Sequence, residues 1–291
     1  MKKYSKNKLK FKRKIKLLII LFIILFLISI SFLIFIGIKN NFVKEKVDYS
    51  AKDVTDDVAK NSTPIVVNNV IVGALYDKTW VSAEAYYLKS ANKLDLDMEV
   101  YTKTGKSGSF TLGNVKKDSN STTIFTNVKR NDMYNEYIAV KKGDTNIRQS
   151  KMNLIESNSE DLKLVKKALG IYRIFNTSIK INSAYEVNID NSGILKILFV
   201  TNEPGKSSGA YSSVIAIDSN NKAHIIKYNY IKNLKKASDW PVYDLNFVID
   251  INNDGINEIV LQETKEFNIK YDILEYNKGK VTQVLSSEFK I

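Results

Sequence analysis

The chain has 291 residues, with 44 Lys and Arg against 31 Asp and Glu, a formal net charge of +13, one histidine and no cysteine. Without cysteine there is no disulfide, no thiolate zinc site and no cysteine nucleophile. The charge alone would suggest nucleic acid. However, nine of the basic residues (Lys2, Lys3, Lys6, Lys8, Lys10, Lys12, Arg13, Lys14, Lys16) form one cluster with no acid among them. Subtracting them leaves 35 basic against 31 acidic, a net of +4, so no nucleic-acid partner is expected.

Residues 1–16 are the expected cytoplasmic tail. Leu17 to Ile36 is an apolar run broken only by Ser29 and Ser31 and extended by Gly37 and Ile38. About 20 apolar residues at a rise of about 1.5 Å cross the hydrocarbon core of a bilayer. A cleaved signal peptide has a shorter apolar region of about 7 to 15 residues, and no small-x-small site follows this run. The expectation is therefore an uncleaved signal-anchor over 17–38 that holds the chain in the lipid bilayer. Its basic flank stays cytoplasmic, which places everything after Lys39 outside the cytoplasm. Residues 39–62 are polar and rich in Lys, Asp and Asn, and form a juxtamembrane linker.

From 63 to 150 the pattern is that of a small β-rich domain. Ile65 to Val67 and Val70 to Val72 are β-branched runs, and Asp77-Lys78-Thr79 is a turn before Trp80. Ser82 caps a short helix over Ala83 to Ala91. Asp97 to Thr102 alternates as a strand, Gly105 to Gly108 turns, and Phe110 to Val115 returns. Thr122 to Val128 and Tyr137 to Val140 are further strands.

The second domain, 151–291, opens with a helix. Its caps lie in Ser157 to Glu160, its apolar stripe is Leu162, Leu164, Val165 and Leu169, and Gly170 is its stop. Four hairpins follow. Ala184–Ile189 and Ile194–Val200 flank Asp190 to Gly193; Tyr211–Ile217 and Ala223–Tyr228 flank Asp218 to Asn221. Leu245–Ile249 and Ile259–Gln262 flank Asp250 to Glu258; Ile269–Tyr276 and Val281–Leu285 flank Asn277 to Gly279. The fold class is mainly β with some α (α+β), built from antiparallel hairpins behind one N-terminal transmembrane helix.

The stretch 187–198 matches 249–260 at a period of 62. In the second copy Asp250, Asn252, Asp254 and Glu258 occupy positions one, three, five and nine of a loop. Gly255 allows a sharp turn that would aim the Ile256 carbonyl inward. Calcium takes about six to eight oxygen ligands from carboxylates, carbonyls and water. Asp250, Asn252, Asp254, Ile256 and Glu258 are the expected ligands of one calcium ion. An EF-hand is excluded, because position twelve is Leu261 and both flanks are strands. A bare polar turn needs only two or three such residues, fewer than agree in register here. In the first copy, Asn188 to Lys196, Ser192 replaces the central acid and Lys196 the closing one. A cation at position nine repels the metal, so that loop is expected to stay empty.

DINNDGINEIV resembles the DxNxDGxxEIV loop of FG-GAP (integrin α-chain-like, VCBS) repeats. The helix ending Leu169-Gly170-Ile171, Gly209-Ala-Tyr211-Ser, and Tyr271 to Tyr276 extend the likeness to exported bacterial proteins with such repeats. Val72-Gly73-Ala and Trp80 carry it upstream. The resemblance implies a metal-stabilised β domain outside the cytoplasm and no known chemistry.

Other candidates are plainer. His224 stands in a strand-like run with neither a nucleophile nor an orienting group near it in sequence. Trp80 and Trp240 could stack on a glycan or peptide, but such residues more often pack in a core. The expected function is a non-enzymatic, calcium-stabilised, membrane-anchored extracytoplasmic module that meets a protein or glycan at the cell envelope. The alternative is an envelope hydrolase with structural calcium and carboxylates that meet only in the fold.

Overall fold

The structure is a computed structural model. It describes residues 44–45, 58, 61–90, 95–118, 123–126, 136–143, 147–170, 179–190, 193–202, 210–231 and 240–290. The tail, the expected span 17–38 and nearly all of the linker lie outside the described residues. Among the described residues no helix is long and apolar enough to cross a membrane. The described residues from Glu45 onward belong to one compact unit.

The chain is mainly β. After the two-residue β1 (Lys44–Glu45) come β2 (Thr63–Val67), β3 (Val70–Tyr76), β4 (Thr79–Ser82) and helix α1 (Ala83–Ser90). These are followed by β5 (Leu96–Thr102), β6 (Gly105–Leu112), β7 (Val115–Lys117), β8 (Ile124–Thr126), β9 (Ile138–Lys141) and β10 (Asn153–Ile155). The C-terminal part holds helix α2 (Ser159–Gly170), β11 (Ile179–Asp190), β12 (Gly193–Asn202), β13 (Ala210–Ile217) and β14 (Ala223–Ile231). It ends with β15 (Val242–Ile249), β16 (Glu258–Lys265), β17 (Asn268–Asn277) and β18 (Lys280–Lys290). The pairings of β2 through β18 are antiparallel.

The four hairpins expected in the second half are all present, and they join into two meanders of four consecutive strands, β11 to β14 and β15 to β18. Each meander begins with one copy of the repeated loop. The left-handed backbone that each tight turn needs falls on Asn221 (φ 58°), and on Lys278 and Gly279 (φ 49° and 84°). Helix α2 starts at an Asn158 cap. Its Oδ1 accepts the N–H groups of Glu160 and Asp161 (both 2.9 Å), while Asp161 Oδ2 accepts the Asn158 N–H (3.0 Å). Val165 and Leu169 of α2 then pack on Leu198, Val200, Tyr211 and Ile215 of the first meander.

The first sheet runs β6-β5-β9-β2-β3-β8-β7, with β4 also paired to β3. The turn between β5 and β6 is at Lys103–Thr104, earlier than the Gly105 to Gly108 turn expected from sequence. Gly105 (φ 120°) instead opens β6 opposite Thr102, and Gly108 lies within the strand opposite Val100. One face of this sheet packs Val66, Ile71 and Ala74 against Ala85 and Tyr86 of α1. Its other face puts Ile65, Val67, Val72 and Trp80 in one core with Phe247, Ile249, Val260, Ile273 and Leu285 of the second meander. At the closest approach, a Cβ on Gly73 would lie 2.5 Å from Leu285 Cδ2 and 2.7 Å from the Val81 carbonyl. Residues on both sides of the 150/151 division thus share one core. The segment 147–155 bridges both meanders: Gln149 pairs with Ile249 on β15, and β10 then pairs with β11.

Candidate metal centre

The loop Asp250 to Glu258 is closed by its own side chains. Asp250 Oδ1 accepts the Asp254 N–H and Oδ2 accepts the Gly255 N–H, both at 3.1 Å. Asn252 Oδ1 accepts the Asp254 N–H (3.0 Å), and Asn252 Nδ2 donates to Asp254 Oδ2 (3.2 Å). Asp254 Oδ1 accepts the Ile256 N–H at 2.8 Å. Asn253 (φ 54°) and Gly255 (φ 88°) supply the left-handed backbone that turns the chain. Ile251, between the first two polar positions, is buried in the shared core and pins the loop to the sheet.

Burial divides the loop. Asp250 and Glu258 are each 1 % exposed and Asn252 5 %, while Asp254 is exposed and Ile256 half-buried. Glu258 Oε2 accepts the Ile251 N–H at 2.7 Å, but its Oε1 is buried with no hydrogen-bond partner. Burial pushes the Glu258 carboxyl well above the usual carboxylate range. The charges of Asp254, Asp250 and Glu275 add to that push against the single Ile251 N–H. Burial also raises Asp250, against the N–H groups of Gly255 and Asp254 and the nearby Arg148.

Among the described residues no three acidic or histidine side chains are gathered closely enough to form a ready cluster. The oxygens of positions one, three, five and nine turn onto the loop's own N–H groups. Asp254 is the exposed member of the set. The donor set is all oxygen with three formal negative charges, and its buried, unpartnered Glu258 Oε1 is an acceptor short of a donor or a cation. That fits a hard divalent cation.

The first copy of the loop abuts the second. Asn257 N–H donates to the Ile189 carbonyl (2.6 Å) and Asn257 Nδ2 to the Asn188 carbonyl (2.7 Å). Lys196, at the closing position, pairs with Asp161 Oδ1 at 3.4 Å at the start of α2. A cleft of about 390 Å³ between the two copies is lined by Arg148, Asn188, Asp190, Asp250 and Asn257. Ser192 lies outside the described residues.

No protein-family model, curated protein or solved structure matches the chain. The likeness to integrin-like loops therefore rests on the spacing and chemistry of the residues themselves.

The structure brings a partner to His224 that its sequence neighbourhood did not suggest. Asp218, six residues upstream at the β13–β14 turn, meets His224 Nε2 at 3.0 Å through Oδ2. Its Oδ1 accepts the N–H groups of Asn220 and Lys222, both at 2.9 Å. Burial pushes the Asp218 carboxyl up, but the hydrogen bonds from His224 and from the two backbone groups outweigh it and hold the carboxyl low. The imidazole lies edge-on to Tyr276 (6.0 Å) and fills the space where a Cβ on Gly279 would sit. Burial and the Asp218 charge push the Tyr276 hydroxyl up to about 12. A cleft of about 620 Å³ lies here, lined also by Asp190, Lys222 and Lys278. A carboxylate-oriented imidazole is half of a general-base pair. Among the described hydrogen bonds, none joins a hydroxyl to this one. The turn spacing Asp218-x5-His224 across a hairpin was the signal that could have found the pair.

Both tryptophans are engaged through their N–H groups. Trp80 is 1 % exposed and donates to Glu275 Oε1 at 2.7 Å. Trp240 donates to the Tyr211 carbonyl at 3.1 Å. Tyr211 and Tyr271, the tyrosines that follow each copy of the loop, are both buried.

Proposed function

We propose that residues 250–258 bind one calcium ion through Asp250, Asn252, Asp254, Glu258 and the Ile256 carbonyl. The ion clasps β15 to β16 in a non-enzymatic module held at the membrane by residues 17–38 and displayed outside the cytoplasm to an envelope partner. The observation that carries this reading is the buried Glu258 Oε1, charged in its ionised form and without a partner. A cation at the loop supplies that partner. The resemblance to FG-GAP loops supports the same choice of ion. The hydrolase alternative has only the Asp218–His224 pair in its favour and is not advanced.

Calcium should bind the full chain, held in detergent micelles, with a dissociation constant on the order of 10⁻⁴ to 10⁻³ M, the range of extracellular modules. At ten times that concentration the folded state gains about 1.4 kcal/mol, read as a rise in melting temperature. Asp254→Ala should abolish the rise while leaving the calcium-free melt nearly unchanged, because Asp254 is exposed. Identical calcium responses of variant and parent would sink the metal reading.

The anchor is tested separately. The chain has no cysteine, and Phe267, at the β16–β17 turn, is 65 % exposed. Phe267→Cys should react with a membrane-impermeant thiol reagent on intact cells. Labelling only after lysis would place the domain on the cytoplasmic side.

A further inference from the structure

The geometry points to Glu275 as a positioning residue of the calcium loop. It acts through Glu258 to set the negative charge of the site, and with it the preference for ion valence, and Trp80 holds it in place. This inference rests on the calcium reading above.

The β16–β17 ladder ends at Ile259↔Leu274, and one step beyond it Glu275 lies across from Glu258, on the same face of the sheet by the strand alternation. Two carboxylates opposed in this way repel each other, and Glu258 is almost wholly buried. A sheet keeps such a pair where something between or beside them supplies positive charge. None of the described contacts of Glu258 or Glu275 is to a lysine, arginine or histidine. Glu258 meets only the Ile251 N–H, and Glu275 meets the Trp80 indole N–H.

The choice of indole is informative. A lysine at the Trp80 position would hold Glu275 and cancel its charge. The indole N–H holds it at 2.7 Å as a neutral donor and brings no positive charge. Trp80 cannot swing away, because it is 1 % exposed and locked in the core shared by the first sheet and the second meander. The turn before it adds a second tie, from Lys78 Nζ to the Asn253 carbonyl at the loop apex (3.4 Å). Glu275 thus adds a carboxylate on the strand next to the one that carries Glu258, held by Trp80 rather than by a ligand of the loop. The buried, unpartnered Glu258 Oε1 marks where their combined field lacks a cation.

Coulomb attraction scales with the charge of the ion, so deleting one carboxylate costs a trivalent ion about half as much again, in log K, as a divalent one. The test measures calcium binding and terbium binding (the latter by luminescence) on the full chain in detergent micelles, for the parent, Glu275→Gln, Glu275→Asp and Trp80→Phe. Glu275→Gln should weaken calcium about threefold to tenfold and terbium about fivefold to thirtyfold, lowering the terbium-to-calcium preference. Glu275→Asp should restore that preference. Trp80→Phe, which keeps the ring and frees Glu275 to move, should weaken both ions, terbium more than calcium, and by less than Glu275→Gln. If the parent binds neither ion, the calcium reading itself falls and takes this inference with it. If the parent binds both, and Glu275→Gln leaves the preference unchanged, the loop keeps its metal and the role of Glu275 is overturned.

Discussion

In the absence of calcium, the stability of this protein should fall as pH rises above about 4.5, and Glu258→Gln should remove most of that fall. The sign follows from Glu258, whose carboxyl is raised well above its ordinary value in the folded state by burial. Below the unfolded-state pKa both states hold the proton and nothing is lost. Between the unfolded and folded values the folded chain binds a proton that the unfolded chain has released. Stability then drops by about 1.4 kcal/mol per pH unit, until the folded pKa is passed and the curve flattens. Asp250 contributes in the same direction, since burial raises it too, but it accepts two backbone N–H groups where Glu258 accepts one. Calcium should turn the slope over, because the ion competes with the proton for the same oxygens and wins as pH rises. The variant should therefore melt above the parent at pH 8 in chelator and below it in saturating calcium. Parallel melting curves for parent and Glu258→Gln across that range would show that the buried carboxyl does not control the loop.

That crossing of curves depends on residues that were legible beforehand, and the contrast with those that were not is physical. The loop and its flanking hairpins announce themselves locally. Mostly apolar runs, Leu245 to Ile249 and Ile259 to Leu261, mark β15 and β16 as strands buried on both faces beside the loop, and Asn, Asp and Gly mark the turns at Asp218 to Asn221 and Asn277 to Gly279. The hairpins they predict stand in the structure as two meanders, β11 to β14 and β15 to β18. The first sheet is different. Its order, β6-β5-β9-β2-β3-β8-β7, pairs strands far apart in the chain, and no local pattern encodes which strand lies beside which. Its second face is closed by β15 to β18, so a division at 150/151 drawn from composition runs through a shared core. β10 carries no local signal, because three residues, Asn153 to Ile155, are too few to show alternation. Glu275 is silent in sequence for a related reason, since its neighbours Glu258 and Trp80 come from other strands rather than from its own surroundings in the chain.

Asp272→Ala should destabilise the protein by about 3 to 5 kcal/mol, the cost of leaving a buried cation unpaired. Asp272 lies on β17 with its side chain 2 % exposed, and its Oδ2 meets Lys227 Nζ from β14 of the other meander at 2.8 Å. Lys227 also donates to Gln283 on β18, so one ammonium ties the first meander to two strands of the second. The Asp272 charge is felt further into this seam, where burial, Glu263 and Asp272 together push the Tyr243 hydroxyl up. Removing either partner is not symmetrical. Without Lys227, Asp272 still has Lys270 at 3.5 Å, so Lys227→Ala should cost less than Asp272→Ala. Without Asp272, the Lys227 ammonium retains one amide oxygen and a side chain 13 % exposed, a narrow route to water. If the ammonium escaped along that route, the loss would shrink to the level of a surface pair, about 1 kcal/mol or less. Denaturant melts read the difference directly, as a lower midpoint with an unchanged slope. The double variant Lys227→Met with Asp272→Leu removes both charges and fills the space, and should recover most of the loss. Recovery would show that the pair costs about as much to bury as it returns. It would also assign its role to fixing the register of the two meanders, one against the other, which sets where the loop 250–258 meets Asn188 and Ile189.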